Sequence, residues 1–434
     1  MIFRALDIFI GEQIVGVLYQ YGDIIRLQVD NDYASNPNRP LLSISLQAKD
    51  PKQEASLLLN PSTPMLNSTG EGRLPNFFQN LLPEGVLRKH IALERHCAEN
   101  DYFDLLAACG KDLPGNVRAA PSAMSRAFTT SVVTQNLDAL EESVVDEPLA
   151  DAVSLSGMQP KLALALDGGR YVARQRMEGA HIIGKLPTNL YEYLPEVEHL
   201  SLQLARVAGV TVCNTTLQPM HLLIADHQYE LGKTQNFLAV QRFDRDRPGR
   251  LHAEDFAQIL NVQPQNKYTG GSYADIARVM MAVNGLGEPA VLELIRRITV
   301  SELIGNYDFH LKNIGVLHFP DGRIELSPAY DIVAYSVYIK GKGHALKLTS
   351  KLGRGESLTP AAIRQFSNEV GILETKVRQT IKEVCSAAFE EWADVIDASS
   401  VSNEQKTRLK RYVDESVLIN GLNKRAKKMI LPGR

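Results

Sequence analysis

Beyond about residue 245 the apolar residues of this chain recur every three or four positions, whereas residues 153 to 244 hold short alternating runs divided by turn residues. A side chain returns to one face every second residue in a strand and about every 3.6 residues in a helix. The later pattern therefore predicts helices and the earlier one strands. LHAEDFAQIL, YADIARVMMAVNGL and PAVLELIRRITVSELIGNYDF carry the helical spacing, as do IRQFSNEVGI, VRQTIKEVCSAAFEEWADVI and EQKTRLKRYVDESVLINGL. LALALD and RYVARQ flank Gly168-Gly169, a hairpin signal. A strand-rich part followed by a helical one predicts an α+β fold of two lobes with a cleft between them.

At 434 residues the chain is too long for one ordinary core. Residues 1 to about 60 alternate apolar and polar positions, with turns at Tyr21-Gly22-Asp23 and Asn36-Pro37-Asn38, and predict short strands. After Pro83, Val86, Leu87, Ile91 and Leu93 predict a helix. The expected division is a strand and helix subdomain at 1–118, a linker at 119–150, a β-rich ligand-binding part at 151–244 and a helical lobe at 245–434. Within the linker, rich in Ser, Thr, Ala and acids, one helix is expected around Leu137 to Val144.

Composition excludes several classes. Hydrophobic residues make up 44% and charged residues 22%, a folded rather than a disordered balance. The formal charge of -3 leaves no globally basic surface, so nucleic-acid contact would need a local patch. Lys424, Arg425, Lys427, Lys428 and Arg434 form one such cluster, readable as a DNA-phosphate contact or as a solvated tail. Cys97, Cys109, Cys213 and Cys385 lie far apart, without metal or disulfide spacing, as in a reducing cytoplasm. The start, MIFRALDIFIGEQIVGVL, lacks a signal-peptide layout, and no apolar run is long enough to span a membrane. A cytoplasmic protein is expected.

The densest polar cluster in an apolar setting runs Asn306-Tyr307-Asp308-Phe309-His310-Leu311-Lys312-Asn313, with Asp331 downstream in LSPAYDIVAYS. Phosphoryl transfer needs a carboxylate near the acceptor hydroxyl and oxygen ligands for Mg²⁺, and kinases supply an Asp with an Asn five positions on. Asp308 and Asn313 have that spacing, and Asp331 offers the second metal carboxylate. Asp308 and Lys312 are the candidate catalytic pair, with His310 and Asn313 beside the nucleotide. A polar loop capping a helix would also hold an Asp and an Asn, so the cluster gains weight only in combination.

The second constellation is Ser154-Leu155-Ser156-Gly157-Met158-Gln159-Pro160-Lys161. Small residues let backbone amides approach phosphate oxygens, and Lys161 adds charge, although a plain turn into a strand has the same composition. Gly179 to Lys185 matches most of a P-loop, but Leu186 stands where the Mg²⁺-binding hydroxyl belongs and Pro187 opposes the required helix. His181-Ile182-Ile183-Gly184-Lys185 reads better as a strand ending in a phosphate-binding lysine. Glu196 and Glu198 on the following helix could pair with it, and Glu198 is preferred. FLAVQRFDRD would meet adenine through its backbone, at Val240, Gln241 and Phe243.

Together these residues resemble the HipA family, the kinase toxins of bacterial type II toxin–antitoxin pairs. The resemblance spans nearly the whole chain. It rests on Phe77 to Gly85 (FFQNLLPEG), Leu155 to Lys161, His181 to Pro187, Arg242 to Arg245, Asn306 to Asn313 and Ala329 to Asp331. It implies a two-lobed protein-kinase-like fold with an extra N-terminal subdomain, and ATP with Mg²⁺ as cofactors. It further implies Asp308 as catalytic base, Asn313 and Asp331 as Mg²⁺ ligands, and Lys161 and Lys185 at the nucleotide phosphates. Ser154 takes the position at which the family autophosphorylates and inactivates itself by displacing the phosphate loop. A phosphoserine there would put nearly two negative charges where ATP phosphates sit.

The implied partners are a HipB-like helix-turn-helix antitoxin, operator DNA within the complex, and a protein substrate. In the best-known members that substrate is glutamyl-tRNA synthetase, whose phosphorylation halts translation and promotes dormancy. The chain departs from the family at Gln241, where Glu is usual, and at Lys267-Tyr268-Thr269, where Lys-Tyr-Glu is common. Two rival functions stand beside the toxin kinase: a catalytically silent corepressor that works with an antitoxin on DNA, and a kinase for a small metabolite or lipid.

Overall fold

The computed structural model describes residues 2–68, 70–123, 141–142, 145–149, 155, 159–173, 180–225, 229, 231–232, 234–245, 249–341 and 343–420. The basic C-terminal cluster lies outside them.

The N-terminal unit begins as expected with strands β1 (Ile2–Ile10), β2 (Gln13–Tyr21) and β3 (Ile24–Val29), the last two joined through Gly22 at φ 58. Strands then give way to helices before residue 60, contrary to the alternation reading. Asp30 caps α1 (Asn31–Ser35), and Asp50 caps α2 (Pro51–Leu59) with Pro51 in its first turn. Capping carboxylates and an N-terminal proline favour helix over strand irrespective of hydrophobic period. Helices α3 (Asn76–Leu81), α4 (Gly85–Arg95) and α5 (Tyr102–Ala108) follow, then β4 (Val117–Pro121). The sheet order is β3-β2-β1-β4, with β5 (Glu141–Glu142) lying parallel to β1. Glu141 and Glu142 thus belong to a strand, not to the helix expected around 137–144, because the end of β1 offers them backbone partners. The rest of that stretch lies outside the described residues. Leu6, Ile8, Leu18 and Leu27 bury one face of the sheet against Phe78, Phe103 and Leu106. Each such side chain removed from water contributes about 1.5–3 kcal/mol.

The small lobe holds β6 (Lys161–Asp167), β7 (Arg170–Val172), β8 (Ile182–Lys185), α6 (Leu194–Val207), β9 (Thr215–Pro219), β10 (Leu223–Ile224) and β11 (Asn236–Gln241). Its sheet order is β10-β7-β6-β8-β11-β9. Gly168 and Gly169, both at positive φ, make the β6–β7 hairpin, a two-residue turn that L side chains resist.

The large lobe opens with β12 (His252–Asp255), a strand where a helix was expected, followed by the single turn α7 (Phe256–Ile259). Backbone pairing of β12 with residues 315–318 extends it, and an Asp255–Gln258 capping box starts the turn. Helices α8 (Tyr273–Ala282) and α9 (Gly287–Ile304) precede the hairpin β13 (Gly315–His318) and β14 (Ile324–Leu326), which turns at Gly322. Helices α10 (Pro360–Val370), α11 (Glu374–Ala398) and α12 (Asn403–Glu415) complete it. Leu294, Ile298, Phe366 and Trp392 lie in its core, and the Trp392 indole donates to the Leu204 carbonyl of α6 at 3.0 Å. Two lobes and an added N-terminal unit make a kinase-like α+β fold. No helix among the described residues is long and apolar enough to cross a membrane.

Candidate active site

Antiparallel pairing of β6 with β8 sets Lys161 directly opposite Lys185, so both ammonium groups leave the same face of the small-lobe sheet. Lys185 Nζ lies 2.5 Å from Glu198 Oε1 and also contacts Asp331 Oδ1. Of the two glutamates weighed on α6, Glu198 takes the lysine, while Glu196 accepts from Asn236 Nδ2 at 3.1 Å. Burial pushes the Glu198 carboxyl up, although Lys185 opposes this. Burial also lowers the Lys161 ammonium, against the pull of Asp331. Burial would raise Asp331 too, but Lys161 and Lys185 outweigh it and hold that carboxyl far below the usual range. Lys161, Lys185, Glu198 and Asp331 thus form one group of four interacting charges, with Asp331 at its more open side.

Asp331 adopts φ 52, left-handed backbone that costs a non-glycine residue about 1–2 kcal/mol. Its flanks hold it there. Ala329 donates to the Thr211 carbonyl at 2.8 Å and accepts from the Cys213 amide at 2.9 Å, and the Ala334 amide reaches Ser201 Oγ at 2.9 Å. Tyr330 donates its hydroxyl to the Lys312 carbonyl at 2.8 Å, tying this segment to the polar loop.

The loop itself starts where Gly305, at φ 66, ends α9. Asp308 receives the Tyr268 hydroxyl on Oδ1, and His310 Nε2 stands 3.7 Å from the same oxygen. The Asn313 amide nitrogen donates to the Asp308 carbonyl at 2.8 Å, and Tyr273 pins the Phe309 carbonyl at 2.7 Å. Burial raises the Asp308 carboxyl, partly countered by the Tyr268 hydrogen bond. Burial, with Lys267 and Lys312 nearby, lowers His310 to about 3, so its ring is neutral.

Lys161, Lys185, Val240, Gln241, Phe243 and Asp331 line one cavity of about 170 Å³ between the lobes. The backbone amides of Gln241 and Arg242 already donate to Asn214 and His181 carbonyls, so a base would meet this connector at other groups. Gln159 Nε2 donates to the Leu186 carbonyl at 3.0 Å. Ser154, Ser156, Gly157 and Met158 lie outside the described residues. The Lys312 ammonium, expected beside the reaction centre, is held by Glu84 Oε1 at 2.6 Å and by the Asn80 carbonyl at 3.3 Å.

Asp331 and Asn313 fit a hard cation. The first is an ionised carboxylate, and the second has committed its amide nitrogen, which leaves its oxygen as the donor. His252, Glu254 and His318 also gather, but as a joint between units. His318 Nε2 is 2.8 Å from Glu254 Oε1, which also accepts the Ile44 amide, and His252 Nε2 pairs with the Leu42 carbonyl.

Glu84, Tyr268, Tyr330 and Asp112 escaped the reading of the sequence as site residues. Asp112 Oδ1 takes Arg242 and Arg245 of the connector at 3.2 and 2.6 Å. Glu84, Tyr268 and Tyr330 lie within or beside family-like motifs, but the partners of all four are distant in sequence, and no local pattern records them.

Two family profiles cover most of the chain: the HipA N-terminal domain at residues 6–120 and the HipA-like C-terminal domain at 153–392. The chain is 33% identical over 357 residues to the "Putative kinase Y4dM" of Sinorhizobium fredii, spanning 81% of this chain and 82% of that protein. It is 28% identical over 228 residues to the "Putative kinase" of Haemophilus influenzae, spanning 50% of this chain and 63% of that one. Its structure superposes with a TM-score of 0.67 and 20% identity on a solved complex from Shewanella oneidensis MR-1, described as the toxin–antitoxin system HipA, HipB and its operator DNA. That match covers 96% of each chain, a likeness of the whole fold. By both halves of its sequence, the chain belongs to the HipA family.

Proposed function

We propose that this protein is an ATP- and Mg²⁺-dependent protein serine/threonine kinase and the toxin of a type II toxin–antitoxin pair. The observation that carries the reading is the ion-paired group of Lys185, Glu198 and Asp331, with Lys161 opposite Lys185 on the same sheet face, and Asp308 and Asn313 bonded together in one loop. Two lysines on one sheet face oppose phosphate charge. Glu198 keeps Lys185 aimed into the cleft. Asp308, with one oxygen held by Tyr268, accepts the proton of an acceptor hydroxyl. Asn313 and Asp331 would hold Mg²⁺, which when bound draws charge from the phosphate oxygens. Val240, Gln241 and Phe243 would border the adenine.

Family membership and the fold shared with the Shewanella HipA support a HipB-like antitoxin and operator DNA as partners. A translation component such as glutamyl-tRNA synthetase is the proposed substrate. Ser154 is the proposed site of self-inactivation.

Mass spectrometry of the purified protein after incubation with ATP and Mg²⁺, beside Asp308→Ala, tests the reading. Phosphate gained at Ser154 in the unmutated protein alone is the expected outcome. No transfer from dephosphorylated protein to itself or to protein acceptors would favour a silent corepressor. Transfer to small molecules only would favour a metabolite kinase.

A further inference from the structure

Glu84 stands just before α4 in the N-terminal unit, yet both of its carboxylate oxygens face the large lobe. Oε1 accepts from Lys312 Nζ at 2.6 Å and Oε2 from Lys267 Nζ at 3.2 Å. Lys312 adjoins Asn313, and its ammonium, almost wholly buried, also reaches the Asn80 carbonyl at 3.3 Å. Lys267 adjoins Tyr268, the hydroxyl donor to Asp308, and its own carbonyl accepts the Leu311 amide at 3.3 Å. One carboxylate thus grips the two chain segments that converge on Asp308.

We propose that Glu84 is a positioning residue through which the N-terminal unit sets the geometry of Asp308 and Asn313; this rests on the kinase reading of those two residues. The alternative role, a plain docking contact, is already filled. Asn76 and Asn80 donate to the Asn261 and Val262 carbonyls at 2.7 and 2.8 Å, and Asp244 receives the Gly115 amide at 2.9 Å. Removing the Glu84 charge therefore leaves the units joined. It strands the buried Lys312 ammonium, which must turn toward water, and the loop moves with it. Burial alone would raise the Glu84 carboxyl, but the two ammonium groups bring it down to about 2, so the clamp is charged at neutral pH.

The test compares the full-length protein with Glu84→Gln and Glu84→Asp by phosphotransfer kinetics and by amide hydrogen exchange. For Glu84→Gln, kcat is expected to fall about ten- to a hundredfold, as for a misplacement of about 1 Å. KM for ATP should stay within about twofold, since the lysines of the small lobe are untouched. Exchange should quicken in residues 306–313 and not in α9. Glu84→Asp, able to reach one lysine at most, should fall between the two. If Glu84→Gln does not fold, Lys267→Met makes the same comparison on the other arm. Unchanged kcat with unchanged exchange at 306–313, or faster exchange confined to residues 76–95, would overturn the proposal. A wild-type protein that transfers no phosphate would sink the kinase reading alone, because the exchange of the loop judges Glu84 without catalysis.

Discussion

At the scale of single residues, the site works through opposed shifts in acidity. Asp331 stays ionised under two ammonium groups, whereas burial raises the neighbouring Asp308. A base with a raised pKa loses activity at a higher pH as the solution is acidified. The Tyr268 hydroxyl donates to the ionised carboxylate and so pulls that pKa down. Tyr268→Phe should therefore move the acidic limb of the kcat profile to higher pH, read as phosphotransfer rate against pH. A limb that stays in place would separate Tyr268 from the base. Asp308 and Asn313 could be proposed from the sequence because their five-residue spacing is local, and Lys185 because it ends an apolar strand run. Glu84 could not, because both of its lysines lie more than 180 residues away.

At the scale of elements, what matters is where helices stop. The fold aims Asp308 by ending α9 at Gly305, whose left-handed backbone turns the chain out of the helix. A Cβ there would stand 2.7 Å from Ser336 Cβ and 2.9 Å from the Tyr307 hydroxyl oxygen. Gly305→Ala is expected to cost about 1–3 kcal/mol of stability, measured by urea unfolding. It should also lower phosphotransfer more than the remaining folded fraction accounts for. The hairpin at Gly168-Gly169 could be read in advance, since only particular residues make such turns. The strand β12 could not. Leu251, Ala253, Phe256, Ala257 and Leu260 follow an apolar spacing compatible with a helix, and only the pairing with β13 decides between the two.

At the scale of the whole molecule, the connector between the lobes is also a dock for the N-terminal unit. Arg242 and Arg245 share Asp112 and Asp244, and Ile44 of the N-terminal unit packs into the large-lobe core. Burial raises Asp112 and Asp244, but the two arginines overcome it and keep both carboxyls below their ordinary values. Asp112→Ala would leave the buried Arg242 with one partner fewer. The expected loss is about 3–5 kcal/mol of stability, seen as a lower unfolding midpoint in urea. A change within about 0.5 kcal/mol would mean that the network is a surface ornament.

The order of strand-rich and helical parts was determined by the sequence alone, because hydrophobic period is a property of neighbouring residues. So were the local constellation Asp308, Asn313 and Asp331 and the choice of a lysine strand over a P-loop at Ile182 to Lys185. Tertiary structure alone decided the partners of those charges: which glutamate meets Lys185, which carboxylate claims Lys312, and which hydroxyl rests on Asp308. Charges pair through space at a few ångströms, and no local pattern records which distant segments the packing of three cores will bring that close.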